Sequence, residues 1–178
     1  MSYKDLEISR GKTLSDVHIL KPDIFWDERG NIFTSFNNDF YEEHLPLKLN
    51  FKHDKFAFNH GNVLRGLHGD TKTWKLVSCV YGKIFEVVVD MRPDSPNYKK
   101  WESFELNSEN YSQVLIPPGF VNGYYTITEN AVFHYKLAYQ GDYIDAAEQI
   151  TMLWNDKELN IDWPCEDPIL QLRDKKLS

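Results

Sequence analysis

Lys75-Leu76-Val77-Ser78-Cys79-Val80-Tyr81-Gly82-Lys83-Ile84-Phe85-Glu86-Val87-Val88-Val89-Asp90 is the stretch whose reading decides the fold class. Two apolar runs of strand length, rich in β-branched residues, meet at Tyr81-Gly82, and this pattern predicts a β-hairpin. The β character continues outward. Leu49 to Phe58 alternates in part, and Trp101 to Leu106 and Ser112 to Ile116 follow a turn at Pro93-Asp94-Ser95-Pro96. Pro117-Pro118-Gly119 ends the second of these, because proline cannot donate to a strand ladder. Tyr124 to Thr128 and Ala131 to Leu137 add two more, parted by Glu129-Asn130. Upstream, Val17 to Leu20 and Ile32 to Phe36 read as strands around the charged turn Asp27-Glu28-Arg29-Gly30. One short helix is predicted over Asn38 to Leu45, with Asn38 or Asp39 as its cap and Pro46 as its stop. Leu153 to Pro164 reads as a loop folding back on buried tryptophans.

Roughly eight to ten short strands with few helices predict an all-β protein, and of the closed forms a jelly roll fits best. The expected architecture is a cupin-type antiparallel jelly roll with short peripheral helices, one domain over residues 1–178.

Charge and composition narrow the function. A net charge of -7 argues against sequence-independent nucleic-acid binding, which needs a basic footprint. The chain has no apolar run of transmembrane length, and Met1-Ser2-Tyr3-Lys4-Asp5 lacks a signal-peptide core, so no membrane partner and a cytoplasmic location are expected. Cys79 and Cys165 supply neither a disulfide framework nor metal-ligand spacing and read as free thiols.

Chemistry concentrates in Asn62-Val63-Leu64-Arg65-Gly66-Leu67-His68-Gly69-Asp70, which reads as a glycine-flanked turn between strands. His68 there is a metal ligand, a general base or a surface histidine. A metal-binding cupin wants further histidines nearby, but Asp70 follows His68 and Asn122 follows the Pro-Pro-Gly-Phe turn, so metal is not expected. A base needs a carboxylate to orient its imidazole and an acid elsewhere in the pocket. Arg29, Arg65 and Lys75 suit an anion such as a diphosphate, although any one of them alone reads better as a solvated surface charge.

From Val17 to Asp174 the chain resembles the nucleotide-sugar 3,5-epimerases typified by dTDP-4-dehydrorhamnose 3,5-epimerase. The matching stretches, in order, are Phe25-Trp26-Asp27-Glu28-Arg29-Gly30, Asn62 to His68, Lys75-Leu76-Val77, Val89-Asp90-Met91-Arg92 with Ser95-Pro96, Ile116 to Phe120, Phe133-His134-Tyr135-Lys136, Trp154-Asn155-Asp156 and Ile161-Asp162-Trp163-Pro164. The resemblance implies a cofactor-independent reaction in which a 4-keto group acidifies the C3 and C5 protons. It assigns His68 as base, Tyr135 as the acid on the opposite face, Asp174 as the carboxylate orienting His68, and Lys75 as the charge beside the ketone oxygen. It further assigns Arg29 and Arg65 to the diphosphate and nucleotide, Tyr143 to stacking on the base, and Glu148 to a sugar or ribose contact, and it makes Arg173, standing where the family usually has a lysine, a further substrate-binding residue. Family members are usually homodimers, so a homodimer is expected.

Departures from the family pattern bear on substrate. Asn31 and Thr34 replace Phe and Glu, and His53-Asp54-Lys55 replaces a Gln-Asp-Asn triplet in the nucleotide pocket. Asp70 replaces a Gln, and Asn122 a His, in the sugar pocket. These changes, with Thr73-Trp74-Lys75, resemble the branch acting on GDP-linked 4-keto-6-deoxy-heptose in capsule biosynthesis, which the sequence favours over a dTDP-linked hexose. An added hydroxyl is expected to bond Asp70 or Asn122. Exchange at both C3 and C5 is expected. A 3,4-ketoisomerase and a non-catalytic sugar-binding cupin are the alternatives.

Overall fold

The structure, a computed structural model, describes residues 6–45 and 48–175. Among them are thirteen strands: β1 (Glu7–Arg10), β2 (His18–Lys21), β3 (Phe25–Asp27), β4 (Gly30–Ile32), β5 (Phe51–His60), β6 (Leu64–Gly69), β7 (Trp74–Tyr81), β8 (Lys83–Asp90), β9 (Trp101–Asn107), β10 (Gln113–Ile116), β11 (Phe120–Thr126), β12 (Asn130–Ala138) and β13 (Ile150–Thr151). Two short helices, α1 (Asn38–His44) and α2 (Leu172–Lys175), and one 3-10 turn, Ala146–Glu148, complete the elements. The strands form a six-stranded sheet, β1-β2-β10-β7-β12-β5, and a five-stranded sheet, β13-β6-β11-β8-β9, with β3-β4 as a separate hairpin. All the ladders are antiparallel, so the protein is mostly β and has the cupin-like jelly-roll form that the sequence predicts.

The deciding stretch does form two strands, but they are not a hairpin. β7 pairs with β10 and β12, whereas β8 pairs with β9 and β11 in the opposite sheet. Gly82 (φ +73°) carries the chain across the gap, where a Cβ would lie 2.3 Å from the Asn130 carbonyl oxygen. Both runs are almost continuously apolar because both faces of each sheet are covered. Inward, Val77, Cys79, Val114 and Phe133 meet Ile84, Val88, Leu106 and Phe120. Outside the first sheet, Leu20, Leu76 and Leu115 pack under Phe40, Tyr41 and Leu45. Outside the second, Leu64, Leu67, Val87 and Val89 pack under Leu159 and Trp163, which fits the predicted tryptophan-bearing loop.

The second correction concerns residues 62–70. The segment is not a connecting turn but contains β6, which runs between β11 and β13. Its glycines serve close approach: a Cβ on Gly66 (φ +124°) would lie 2.4 Å from the Gly123 Cα of β11. Elsewhere the helix cap is Asn37, whose side chain accepts from the Phe40 N–H at 3.0 Å, rather than Asn38 or Asp39. Pro46, its predicted stop, lies outside the described residues. The strand expected over Ile32 to Phe36 ends at Ile32, and the one expected from Tyr124 begins at Phe120. Cys79 and Cys165 are free, the former buried.

Candidate active site

A cavity of about 270 Å³ opens between the two sheets. The six-stranded sheet contributes Lys75 and Val77 from β7, and Phe133, Tyr135 and Leu137 from β12. The facing sheet contributes Arg65 and His68 from β6, and Asn122 and Tyr124 from β11. Asp70, Thr73, Tyr143 and Gln149 complete the wall from loops.

His68 is held by its strand, paired with Asn122 on one side and Thr151 on the other. Its Nε2 lies 2.7 Å from Asp174 Oδ1, and Asp174 is fully buried. The sequence separation of 106 residues is closed by the C-terminal segment, which zips onto the start of β6. Leu64 N–H donates to the Ile169 carbonyl (3.0 Å), and Ile169 N–H donates to that of Asn62 (2.7 Å). The segment continues into α2, which presents Asp174. With Nε2–H donated to a carboxylate, Nδ1 keeps its lone pair for a proton from elsewhere.

Lys75 reaches across from the opposite sheet. Its Nζ donates to the His68 carbonyl oxygen (2.8 Å) and to Asn122 Oδ1 (2.7 Å). Burial pushes its ammonium down to about 8, with Arg173 adding to the fall and Asp70 and Glu86 opposing it. Asn122 in turn donates from Nδ2 to Glu86 Oε1 at 2.7 Å. Tyr135, on β12, enters the cavity from the sheet facing His68, and its hydroxyl forms no hydrogen bond among the described residues. Arg65 Nε donates to Asn59 Oδ1 at 2.7 Å, and Tyr143 lies beneath the Lys55 ammonium, 4.6 Å from ring centre to Nζ.

Thus His68, Lys75, Tyr135, Arg65, Asp70, Asn122 and Tyr143 share one cavity, with Asp174 directly behind His68. Four expectations shift. Arg29 is 88% exposed on the β3–β4 hairpin, paired with Asp27 and away from this cavity. Glu148 points to solvent, and its neighbour Gln149 lines the wall instead. Arg173 donates to Thr151 Oγ1 (3.0 Å) and Gln149 Oε1 (3.2 Å) behind the wall. Asp54 lies on the outer face with His134 and Lys136, because only alternate residues of β5 face inward. The sequence reading missed Glu86, Asn59 and Gln149. Glu86 carried a signal: an acid within an apolar strand run is rarely buried without a partner.

An imidazole with a buried carboxylate behind it, faced by a free phenol and a lysine, is equipped to move protons, and here it occupies a cupin-type jelly roll. The profile of the family described as dTDP-4-dehydrorhamnose 3,5-epimerase matches residues 12–178. The enzyme of that name from Salmonella typhimurium is 40% identical over 154 residues, covering 85% of this chain and 82% of its own. That from Shigella flexneri is 38% identical over 164 residues, covering 90% and 89%. Among solved structures, RmlC of Legionella pneumophila, described as dTDP-6-deoxy-D-glucose-3,5-epimerase in complex with dTDP-4-keto-L-rhamnose, superposes with a TM-score of 0.89 at 35% identity, covering 96% of this chain and 90% of its own. The Bacillus anthracis dTDP-4-dehydrorhamnose 3,5-epimerase, with TDP and pyrophosphate bound, gives 0.87 at 33%, covering 96% and 97%. The chain belongs to the dTDP-4-dehydrorhamnose 3,5-epimerase family and is an isomerase, an epimerase of sugar nucleotides.

The His68–Asp174 pair generates a direct prediction. Nitrogen-15 spectra of the imidazole are expected to show the Nε2–H tautomer in the parent and a mixture in Asp174→Asn, with catalysed hydrogen exchange falling by roughly 10²- to 10⁴-fold. An Nδ1–H tautomer in the parent, or a variant rate within twofold of it, would contradict the assignment.

Proposed function

We propose that the chain inverts C3 and C5 of a dTDP-linked 4-keto-6-deoxy hexose. The observation that carries this reading is that His68 and Tyr135 enter one cavity from facing sheets, on opposite sides of whatever occupies it. Asp174 holds the Nε2–H, so Nδ1 of His68 takes the proton next to the ketone. The Lys75 ammonium stabilises the enolate oxygen that forms. Tyr135 then returns a proton from the other face, which inverts the centre. Arg65 and Tyr143 hold the nucleotide side.

The relatives move the substrate assignment away from the GDP-linked heptose that the sequence favoured, because the Salmonella, Shigella and Legionella proteins all carry dTDP-sugar names. The supposed roomier polar pocket also has less free polarity than the residue types suggest: Asn122 spends both ends of its amide, on Lys75 and Glu86. The heptose remains a second reading on one observation. Asp70 lines the cavity, and the bonds it accepts among the described residues, from Lys72 N–H (2.8 Å) and Thr73 N–H (2.7 Å), both go to Oδ1, which leaves Oδ2 to an extra hydroxyl.

Incubation with each 4-keto substrate in deuterated water separates the two. The dTDP-hexose is expected to take up deuterium at both C3 and C5, at least about tenfold faster than the GDP-heptose. Faster exchange into the heptose would reverse the assignment, and label at a single carbon would exclude double inversion.

We further infer a homodimer. The β3–β4 hairpin exposes Phe25 (50%), Trp26 (62%) and Ile32 (55%) beside Arg29, a concentration of apolar surface that a second copy would cover. Such an association would also take Arg29 away from bulk solvent. Sedimentation equilibrium is expected to give twice the chain mass, with Trp26→Asp shifting the population to monomer. A parent that sediments as a monomer at micromolar concentration would refute the dimer.

A further inference from the structure

Glu86 is the buried acid for which the proposed reaction has no use. It sits in β8, opposite Tyr124 of β11, with no exposed surface. One carboxyl oxygen, Oε1, accepts from Asn122 Nδ2 at 2.7 Å, and the other, Oε2, is buried without a partner among the described residues. An unpaired buried carboxyl oxygen costs free energy, so its retention calls for a compensating interaction. The compensation lies one residue further on. Asn122 turns its Oδ1 to Lys75 Nζ at 2.7 Å, so a single amide joins a buried acid to a buried base.

An amide has one end that only accepts and one that only donates. A protonated lysine can only donate, so it selects the Oδ1 end, and Glu86 accepts from the Nδ2 end. Each group thereby fixes the amide for the other. We propose that Glu86 is a positioning residue for Lys75: acting through the Asn122 amide, it fixes the ammonium against the His68 carbonyl and sustains the charge that Lys75 presents to the ketone oxygen. The inference rests on the reading of Lys75 as the enolate-stabilising group.

Burial works to discharge both members, and even with each charge favouring the other Glu86 stands raised to about 8 and Lys75 lowered to about 8. The remaining groups around them are few. Lys75 is faced by Asp70 and His68 at the end of β6 and by Arg173 from α2, and Tyr135 of β12 shares its cavity. Glu86 is faced from β11 by Asn122 and Tyr124. As pH rises, ionisation of Glu86 therefore holds the proton on Lys75. Without that carboxylate, Lys75 loses its proton at lower pH.

Glu86→Gln preserves the shape and can still accept from Asn122, but removes the charge; Glu86→Asp retains the charge. Two readouts are needed. The first, the nitrogen-15 titration of the Lys75 amine, requires no substrate and so stands or falls apart from the reaction assignment. In Glu86→Gln the midpoint is expected to fall by roughly one pH unit relative to the parent. The second is the pH profile of deuterium uptake, in which the parent rate falls as pH passes through about 8 and the variant's fall begins correspondingly earlier, in kcat and not in KM. Glu86→Asp is expected to restore at least half of both shifts. Superimposable Lys75 titrations in parent and Glu86→Gln would overturn the proposal. So would a kcat lost equally at every pH with an unshifted titration, which marks a packing role only. If Glu86→Gln fails to fold, an unshifted titration in Asn122→Leu, which cuts the same link, overturns the proposal equally. A parent that titrates as proposed but exchanges no substrate hydrogen would refute the reaction while leaving the Glu86–Lys75 link intact.

Discussion

A lysine ammonium taken out of water between two sheets constrains much of the architecture around it. Moving Lys75 from about 10.5 to about 8 corresponds to roughly 3 kcal/mol against its charged form. A charge in such a place needs partners for its donors, and here two of the three are met from the facing sheet, by a backbone carbonyl of β6 and a side-chain amide of β11. That bond pattern ties the two sheets together at the level of the cavity. It also places the cation beside His68, where the proposed reaction would form its enolate.

The second constraint is backbone proximity. β6 can lie against β11 because Gly66 and Gly123 face each other with no side chains between them. Close approach brings His68 into register with Asn122, and the Lys75 ammonium bonds to both residues. The dyad partner arrives by a different route, along a C-terminal segment hydrogen-bonded to the beginning of the same strand. His68 and Asp174 are thus set by one strand and its neighbours, while the Lys75 ammonium and the phenol of Tyr135 come from adjacent strands of the facing sheet, across the cavity.

What could be read from the sequence followed what local chemistry determines. Strand-length apolar runs marked β7, β8, β10 and β12, and the fold class follows from them. Their pairing did not, because a glycine hinge looks alike whether it closes a hairpin or crosses between sheets; only the covering of both faces, by α1 and by the Trp163 loop, tells them apart. β6 was masked by its own glycines, which suggest a turn until the strand pressed against them is known. The His68–Asp174 pair was reached through family resemblance and not through spacing, since 106 residues separate the two. Asp54 was misplaced for a simpler reason: neighbouring residues on a strand face opposite ways, so an error of one position moves a side chain out of the cavity. Glu148 ends the 3-10 turn on its exposed side, and the residue after it, Gln149, is the one that lines the cavity. Arg29 was assigned from a motif whose hairpin lies apart from the cavity of its own chain.

The central claim is that His68 and Tyr135 act from opposite faces of a sugar whose ketone oxygen meets Lys75. A crystal structure of the chain with a dTDP-linked 4-keto-6-deoxy sugar, or an unreactive analogue, tests it most directly. The account predicts the ketone oxygen within hydrogen-bond distance of Lys75 Nζ, the C3 or C5 hydrogen toward Nδ1 of His68, and the Tyr135 hydroxyl on the other side of the ring. A sugar bound with His68 and Tyr135 on the same face, or with its ketone turned away from Lys75, would contradict it.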